Sequence, residues 1–302
     1  MKRESTLGSP LRENRTAGFA WGFGRKGEIP RPNSTSHNLN HELVMRAVRK
    51  HTENKWLLLY IERWLKAPLL KEDGTLVVRD KGTPQGGVIS PLIANLFLHY
   101  VFDKWMQRHH VKHPFARYAD DVIVHCKTQD EAINLLKEIS ARFVQCGLDP
   151  HPDKTKIVYC KDGDRAGTHE NENFDFLGYT FRARKVKARR GNYFTGFNPA
   201  ISNASAKMIR EKMRGWKFHL WSDKTIHELA AMCKPVLRGW INYYGKFYKT
   251  ELYSVLRHLD NALKRWAMRK YKKLKGSIIK ASEWLRVVAI SNPKLFPHWN
   301  AV

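Results

Sequence analysis

Two adjacent carboxylates, Asp120 and Asp121, are the residues of this sequence with the clearest capacity for chemistry. They follow Tyr118 and lie between two short β-type runs, residues 115–117 and 122–124, which predicts the turn of a β-hairpin. Like charges this close repel each other unless a cation lies between them, so a divalent metal site is one interpretation. The other interpretation is an ordinary hairpin turn in which both carboxylates face water.

A glycine-rich loop at residues 81–91 is the second candidate, and it contains Gln85, Gly86 and the pair Ser90-Pro91. Glycines let the backbone approach a ligand closely, and Ser-Pro is a good start for the apolar helix that follows. The loop suits a phosphate or a base pair, with an ordinary turn as the alternative. It lacks the Lys-Ser/Thr pair of a P-loop and the spacing of a dinucleotide fingerprint, so neither an NTPase nor a dehydrogenase is indicated.

The surrounding sequence predicts the elements that must position these residues. Apolar residues recur at helical spacing from Asn38 and again over a broad face at 56–65, whose aromatic residues we expect in the core. Residues 130–144 predict an amphipathic helix that ends at Gly147. A polar turn at 149–154 then leads into a short strand. This order predicts an α+β fold with the carboxylate-bearing hairpin in an antiparallel sheet.

The charge of the chain indicates its partner. The 302 residues include 54 Lys and Arg against 28 Asp and Glu, a formal net charge of +26. Such a charge repels itself unless a polyanion neutralises it, so nucleic acid is the expected partner. An anionic membrane is the competing interpretation. The sequence has no apolar run of membrane-spanning length and no signal peptide after Met1, so we expect no membrane partner and a cytoplasmic location.

The cysteines argue against zinc and against a secreted protein. They show no C-x-x-C pair that could form a zinc site and no dense pattern that could form a disulfide framework. We therefore expect reduced thiols in the core. The four residues are Cys126, Cys146, Cys160 and Cys233.

Four motifs resemble, in chain order, successive motifs of bacterial group II intron-encoded reverse transcriptases, the intron maturases. They lie at residues 83–92, 117–121, 153–155 and 174–179. The resemblance implies a partial right-hand polymerase, in which a palm with an antiparallel sheet and helices precedes an α-helical thumb or maturase-specific domain. It further implies an RNA-directed DNA polymerase, a nucleotidyltransferase of a mobile element, that binds intron RNA and assists RNA splicing and retrohoming.

The resemblance implies a role for each matched residue. The catalytic metal ligands, for Mg²⁺ or in its place Mn²⁺, are Asp120 and Asp121. The residues that bind nucleotide and template are Gln85, Gly86, Tyr118 and Lys154. The primer grip is Phe176, Leu177, Gly178 and Tyr179, for which an aromatic core strand is an equal alternative. The implied partners are intron RNA and an RNA/DNA template-primer.

The C-terminal third resembles the helical part of the same family and is strongly basic. A stripe of apolar residues at alternating steps of four and three predicts one buried face of a long helix, from Leu252 to Trp266. A charge run is usually a solvated face, but here it coincides with interleaved aromatic residues, which favours binding of an RNA backbone. The expected RNA contacts are Arg184, Lys185, Arg189, Arg190, Arg238, Lys246, Lys264 and Arg265.

We expect three segments along the chain. Residues 1–37 are a basic arm without homology and without a fold of its own, 38–185 are a partial fingers and palm domain, and 186–302 are the helical thumb or maturase domain. The family has an aspartate on a strand ahead of the first helix, whereas this sequence has no aspartate before Asp73. The resemblance is therefore to an N-terminally truncated member that lacks a metal ligand and a central palm strand.

The missing aspartate leaves three hypotheses. Two-metal phosphoryl transfer requires carboxylates that bridge ions about 4 Å apart, so loss of a shared ligand weakens the site. The first hypothesis is a polymerase by descent whose chemistry is impaired. The second is a non-catalytic RNA-binding splicing cofactor. The third is a decayed fragment that does not fold stably, because its palm sheet has no central strand.

Overall fold

A computed structural model gives the structure of the protein. It describes residues 17–21, 39–70, 74–83, 88–148, 150–151, 154–163, 167, 169–188 and 191–300. These residues divide into two units. The first comprises Met1–Cys160 and Gly167–Glu172, and the second comprises Lys161–Ala166 and Asn173–Val302. Along the chain, this division lies between Cys160 and Asn173, and the expected domain boundary at residue 185 stays a prediction.

The first unit combines short strands with helices. Its strands are β1 (Ala17–Trp21), β2 (Leu69–Leu70), β3 (Leu76–Val77), β4 (Phe115–Tyr118), β5 (Asp121–Cys126) and β6 (Thr155–Val158). Its helices are α1 (His41–Arg49), α2 (Lys55–Lys66), α3 (Ser90–Leu98), α4 (Lys104–His109) and α5 (Gln129–Gln145), with a π-helical segment, His99–Asp103, between α3 and α4. The main sheet has the order β4-β5-β1-β6.

β1 is a central strand of this sheet. Ala17 to Trp21 pair with β5 in antiparallel register, and Gly18 to Trp21 pair with β6 on the other side. Two predictions are therefore wrong at these residues, namely an arm without a fold and a palm sheet without its central strand. The sequence Ala-Gly-Phe-Ala-Trp has no β-branched residue and gives a weak strand signal. Hydrogen bonds to two neighbouring strands determine its conformation instead.

The helices of the first unit enclose its core. Asn40 caps α1, because its Oδ1 accepts a hydrogen bond from the Leu43 amide at 3.1 Å. α5 ends before Gly147, which has a φ of 73° and suits the left-handed position there, as predicted. The buried core includes Leu39, Val44, Leu65, Phe97, Phe102, Val124, Ile139 and Phe143.

The aromatic face of α2 differs from its prediction. Trp56 is 70% exposed and Tyr60 is 63% exposed, whereas Ile61 and Leu65 are buried. α2 packs against α1, and the two aromatic side chains lie outside that contact. The expectation that they belong to the core is therefore wrong. Helical periodicity identified the helix but overestimated how much of its surface is covered.

The second unit joins a three-stranded antiparallel sheet to four helices. Its strands are β7 (Asn173–Phe176), β8 (Tyr179–Lys187) and β9 (Tyr193–Ile201), in that order. Its helices are α6 (Asn203–Gly215), α7 (Ile226–Tyr244), α8 (Lys249–Lys270) and α9 (Ile278–Ser291). Single 3₁₀ turns lie at Phe218–Leu220, Lys272–Leu274 and Pro297–Asn300.

The long helix α8 forms the centre of the second core. Its predicted stripe is confirmed, because every member is fully buried: Leu252, Leu256, Leu259, Leu263 and Trp266. At the start of α7, Thr225 and Glu228 form a capping box. The predicted α+β class, an antiparallel sheet with helices followed by a helical domain, is confirmed. No helix within the described ranges is both long and apolar enough to cross a membrane.

Candidate functional site

Asp120 and Asp121 lie where β4 turns into β5. Tyr118 pairs with Asp121 across the hairpin, so Ala119 and Asp120 form the turn, as predicted. Ala119 has a φ of 53°, in the left-handed region that residues other than glycine rarely adopt. Because directly opposed residues of an antiparallel pair share one face, the 64% exposed Tyr118 lies on the face of Asp121.

Arg117 holds this turn in place. Its Nε and Nη2 each donate to one carboxylate oxygen of Asp103 at 2.7 Å, and both side chains are largely buried. Its Nη1 donates to the Ala119 carbonyl at 2.8 Å and to Asn95 Oδ1 at 3.0 Å. A bidentate charged pair of this kind fixes orientation as well as position. The turn is therefore tied to the π-helical segment that ends at Asp103.

Sequence analysis did not identify Asp103. It lies 14 residues before Arg117, and no periodic pattern connects the two positions. It is also the last residue of a π-helical segment, where an i+5 hydrogen bond shifts the side chains out of ordinary helical register. A helical pattern therefore gives no indication that Asp103 faces the hairpin.

The Asp pair has unfavourable electrostatics. Burial first, and then the neighbouring Asp120 carboxylate, raise the pKa of Asp121 from 3.8 to about 6, whereas the charge of Lys154 acts to lower it. Lys154 follows a turn in which its amide donates to the His151 carbonyl at 3.2 Å. The structure thus brings Lys154 and the Asp pair together. A bound cation would relieve the repulsion between the two carboxylates.

The donor set does not fit a two-metal site. Within the ranges that the structure describes, no three His, Cys, Asp or Glu side chains come together to hold a metal ion. β1 runs beside β5 with Trp21 opposite Val122, but none of its five residues is acidic. The chain therefore provides the strand next to the Asp pair without the carboxylate that the family has on it.

Both ends of the glycine-rich loop are fixed, although Gln85 and Gly86 themselves lie outside the described residues. At the first end, the Gly82 amide donates to the Leu39 carbonyl at 2.8 Å, and His41 Nε2 donates to the Gly82 carbonyl at 2.7 Å. At the other end, α3 begins at Ser90 with Pro91 in its first turn, but the N-cap is Ile89, so the prediction of Ser90 as N-cap is wrong. The roles expected for Gln85 and Gly86 stay predictions.

The predicted primer grip is the tip of the β7-β8 hairpin. Phe176 pairs with Tyr179, so Leu177 and Gly178 form the turn, with φ values of 50° and 77°. A Cβ on Gly178 would lie 2.9 Å from Ser205 Oγ and 3.0 Å from the Tyr244 hydroxyl. Glycine is thus required both by the backbone conformation and by the space available.

Aromatic residues of α7 hold this hairpin. The Tyr243 hydroxyl donates to the Leu177 carbonyl at 2.9 Å, and the Tyr179 hydroxyl donates to the Tyr243 carbonyl. The Tyr179 ring is buried, 5.5 Å from the rings of both Tyr243 and Tyr244. The Tyr179 side chain is therefore part of a core, in agreement with the aromatic-strand interpretation for this residue.

Arg184 lies inside the second unit and is only 8% exposed. Its Nη1 donates to Glu251 Oε1 at 3.1 Å, its Nε donates to the Asn198 carbonyl at 3.3 Å, and its guanidinium lies 5.0 Å from the Tyr248 ring. Burial lowers the pKa of Arg184. This arrangement corrects the expectation of an exposed RNA contact, because the side chain joins β8 and β9 to α8.

The other predicted RNA contacts are dispersed. Lys185, Arg238 and Lys246 are exposed, and Lys264 is partly exposed. Arg189 and Arg190 lie outside the described residues.

A cleft of about 1140 Å³ in the second unit is lined by several Lys and Arg side chains. It lies between α6, the first 3₁₀ turn, α8 and the second 3₁₀ turn, and no acidic residue is present among its described lining. We call it the cationic cleft. Its Lys and Arg residues are Arg210, Arg214, Lys217, Arg265, Arg269, Lys272 and Lys275. Sequence analysis named only Arg265, because residues from separate elements meet there only after folding.

Two family profiles match the chain. The profile described as reverse transcriptase (RNA-dependent DNA polymerase) matches residues 36–181, and the profile described as group II intron, maturase-specific domain matches residues 206–284. The first match includes the Asp120-Asp121 hairpin. The second match includes all seven Lys and Arg residues of the cationic cleft.

Individual relatives are distant. Protein YkfC of Escherichia coli (strain K12) is 25% identical over 185 residues, which are 51% of this chain and 45% of YkfC. The COX1/OXI3 intron 1 protein of Saccharomyces cerevisiae is 23% identical over 144 residues, 45% of this chain and 17% of that protein. The chain thus spans less than half of either relative. A solved structure of apo telomerase from Candida tropicalis aligns with 93% of this chain and 51% of that chain, at a TM-score of 0.46 and 11% identity.

Proposed function

Because this chain belongs to the family of group II intron-encoded reverse transcriptases and maturases, we propose that it binds group II intron RNA through the cationic cleft. The observation that carries the proposal is the convergence of seven Lys and Arg residues on one cleft without an acidic residue among its described lining. Concentrated like charge is unfavourable by itself, whereas an RNA backbone neutralises it and releases counterions. Splicing and retrohoming are the processes that this binding serves.

Two helices present their cations towards the same space. Arg210 and Arg214 are four residues apart on α6, and Arg265 and Arg269 are four residues apart on α8, so each pair lies on one helix face. α6 and α8 pack against each other, which brings the pairs together. Arg269 Nη1 also donates to the His219 carbonyl at 3.2 Å, which fixes its position at the cleft. Such an arrangement binds phosphates and positions a strand without reading its sequence.

The test is the salt dependence of RNA binding. In the cleft variant, Gln replaces four cations: Arg210, Arg214, Arg265 and Lys272. In the matched control, Gln replaces four exposed cations of the same unit outside the cleft: Lys207, Lys212, Arg257 and Lys280. We expect the cleft variant alone to lower the slope of log affinity against log salt by about 3 to 3.5, because each of four lost phosphate contacts removes about 0.7 to 0.9. Equal losses in both variants would refute the proposal.

We further propose that the polymerase chemistry of this chain is impaired. The incomplete carboxylate set beside Asp120 and Asp121 supports this, since the bridging positions of two divalent ions need more ligands than one hairpin supplies. We also propose that Tyr118, Lys154 and the tip of the β7-β8 hairpin contact a template-primer. Primer extension on an RNA template with Mg²⁺ or Mn²⁺ is the test. We expect background synthesis, and metal-dependent extension that disappears in Asp120→Ala would overturn this proposal.

The cytoplasm is the proposed place of action. Cys126, Cys146 and Cys233 are free thiols, and all three are buried. Burial raises the pKa of Cys126 and of Cys233 to about 12, which keeps both as unreactive thiols. Free thiols of this kind agree with a reducing compartment.

A further inference from the structure

A second cavity lies in the first unit, between α1, the π-helical segment, α4 and the last turn of α5. Its volume is about 420 Å³. Its described lining comes mainly from these helices and includes Lys50 and Cys146, which directly follow α1 and α5, whereas Asp120 and Asp121 belong to the β4-β5 hairpin. We call it the helical pocket. It is separate from the cationic cleft, whose residues all belong to the second unit.

The helical pocket is strongly basic. Its Lys and Arg residues are Arg46, Lys50, Lys104, Arg108 and Arg142, and none of the described lining residues is acidic. Arg46 on α1 lies four residues before Lys50, which directly follows that helix, and Lys104 and Arg108 are four residues apart on α4. Like charges four residues apart repel each other on a helical surface. The fold therefore keeps two such pairs of cations beside one cavity.

The acidic residues nearest the pocket along the chain lie outside its described lining, and they include Glu42, four residues before Arg46 on α1. Asp103, which directly precedes Lys104, is held by Arg117 at 2.7 Å. Glu138, on α5, lies 3.3 Å from His110 Nε2. Neither carboxylate lines the pocket. The described lining itself therefore has five Lys and Arg residues and no carboxylate.

Two aromatic rings complete the pocket wall, and both are held in place. Lys50 Nζ lies 4.6 Å from the Tyr100 ring centroid, and the Tyr100 hydroxyl is 2.9 Å from His51 Nε2. The Trp105 ring packs 4.4 Å from the His110 ring. Fixed aromatic rings among Lys and Arg side chains are the combination by which proteins hold single-stranded nucleic acid, with stacked bases and neutralised phosphates.

We propose that the helical pocket is a second RNA-binding site, which holds one base and the adjoining phosphates of a single-stranded RNA segment. A cavity of about 420 Å³ has the size of a small-ligand site and admits one nucleotide, whereas it is too small for a duplex. Arg142 contributes a fixed cation, because its Nε donates to the Val101 carbonyl at 3.3 Å. This site adds RNA binding to the first unit, at a place that does not include the hairpin of Asp120 and Asp121.

Lysine footprinting of the full chain tests where RNA binds. The probe is a labelled uridine oligonucleotide of about 20 nucleotides, long enough to occupy more than one single-strand site. The RNA is expected to protect Lys50 and Lys104 from acylation, while Lys55 and Lys112, which are exposed on the same unit outside the pocket, keep their reactivity. Unchanged acylation of Lys50 and Lys104 under saturating RNA overturns the proposal.

A matched pair of variants tests the contribution of the pocket to affinity. The pocket variant replaces Arg46, Lys50, Lys104 and Arg108 with Gln, and the control replaces the exposed Arg49, Lys55, Lys112 and Lys137 with Gln. We expect the salt slope for the oligonucleotide to fall by about 3 in the pocket variant, about 0.7 for each of four lost phosphate contacts, and to stay unchanged in the control. Both variants must retain cooperative unfolding. If the pocket variant fails to fold, the footprinting of the wild-type chain tests the proposal instead.

Competitors distinguish the occupant. Duplex RNA and poly-glutamate should protect Lys50 and Lys104 less than the single strand does at equal phosphate or carboxylate concentration. Equal protection by poly-glutamate would assign the pocket to an acidic protein and overturn the RNA proposal. The cationic cleft is tested by its own variant, so failure of one site leaves the result for the other unchanged.

Discussion

At the level of single residues, Asp121 is the carboxyl group whose charge the fold opposes. Its pKa is raised to about 6 by burial and by Asp120. The folded protein therefore holds a proton on Asp121 at pH values where the unfolded chain, with an ordinary pKa of 3.8, has lost it. This difference favours the folded state below pH 3.8, and the benefit is lost as the pH rises through 6.

Asp121→Asn should consequently stabilise the protein at pH 8, where the wild-type carboxylate is ionised. The expected gain is about 1 kcal/mol after allowance for solvent screening of this half-exposed group, and it should shrink at pH 5. Denaturant titrations at both pH values measure it. Asp80→Asn, at an exposed position, is the control. A larger gain at pH 5 than at pH 8 would contradict the electrostatic account.

The Arg117 and Asp103 pair should matter more for stability than any exposed charge. Arg117→Met leaves the largely buried Asp103 carboxylate without its bidentate partner, at an expected cost of about 3 kcal/mol. Arg63→Met on the exposed face of α2 is the control, with little expected effect. The free energy of unfolding measures both. Similar small losses would show that the hairpin turn does not depend on this pair.

Single residues show what a sequence can and cannot predict about a site. Adjacent carboxylates at a turn are a local pattern, so Asp120 and Asp121 were found. Arg184 belongs to a basic run, and local composition could not reveal that β9 and α8 close over it. Asp103 was missed for the related reason that its partner is distant in the chain.

At the level of elements, β1 is the strand that joins β5 to β6 in the main sheet of the first unit. Ala20 pairs with Ile123 on one side and Lys156 on the other. Ala20→Pro removes the amide and should lower the free energy of unfolding by about 3 kcal/mol or more. Ala17 pairs only with Cys126, at the first position of the strand, so Ala17→Pro is the matched control with a smaller expected loss.

Equal effects of the two proline substitutions would show that β1 does not act as a central strand. A large loss at Ala20 alone would also argue against the hypothesis of a fragment without a stable fold, because a strand can be disrupted only where it is formed. Thermal unfolding of the wild-type chain in one cooperative transition per unit is the accompanying expectation.

The hairpin tip at Gly178 tests a second element. Gly178→Ala meets both a positive φ and two oxygen atoms about 3 Å from the new methyl group, so we expect a loss of about 2 kcal/mol or more. Gly191→Ala has a similar φ of 90° but open space around its Cβ, and it should lose only about 1 kcal/mol. The difference in thermal unfolding between the two variants separates the cost of the left-handed backbone, which both share, from the cost of the steric clash at Gly178. Equal losses would mean that the tip does not pack on α7 as described.

Elements with a strong internal period were predictable, and elements defined by their neighbours were not. α5 and α8 have one apolar face each, and their extent followed from it. β1 has five residues without alternation, and only pairing with β5 and β6 makes it a strand. The exposure of Trp56 and Tyr60 likewise depends on what packs against α2, which no pattern within α2 records.

For the whole molecule, the net charge of +26 predicted a polyanionic partner but not where it binds. The seven Lys and Arg residues of the cationic cleft are spread over 66 positions from Arg210 to Lys275 and converge only in the folded second unit. One basic cavity in each unit is proposed to contact RNA. Neither cavity has Asp120 or Asp121 in its described lining, so we expect RNA binding not to require the Asp pair.

This separation of RNA binding from the Asp pair is the central claim, and one titration tests it most directly. Binding of a group II intron RNA is measured at one salt concentration for three proteins: the wild type, Asp120→Ala with Asp121→Ala, and the cleft variant. We predict the same affinity for the wild type and the double Ala variant, and a loss of at least about tenfold for the cleft variant. Loss of binding in the double Ala variant with full binding by the cleft variant would contradict the account.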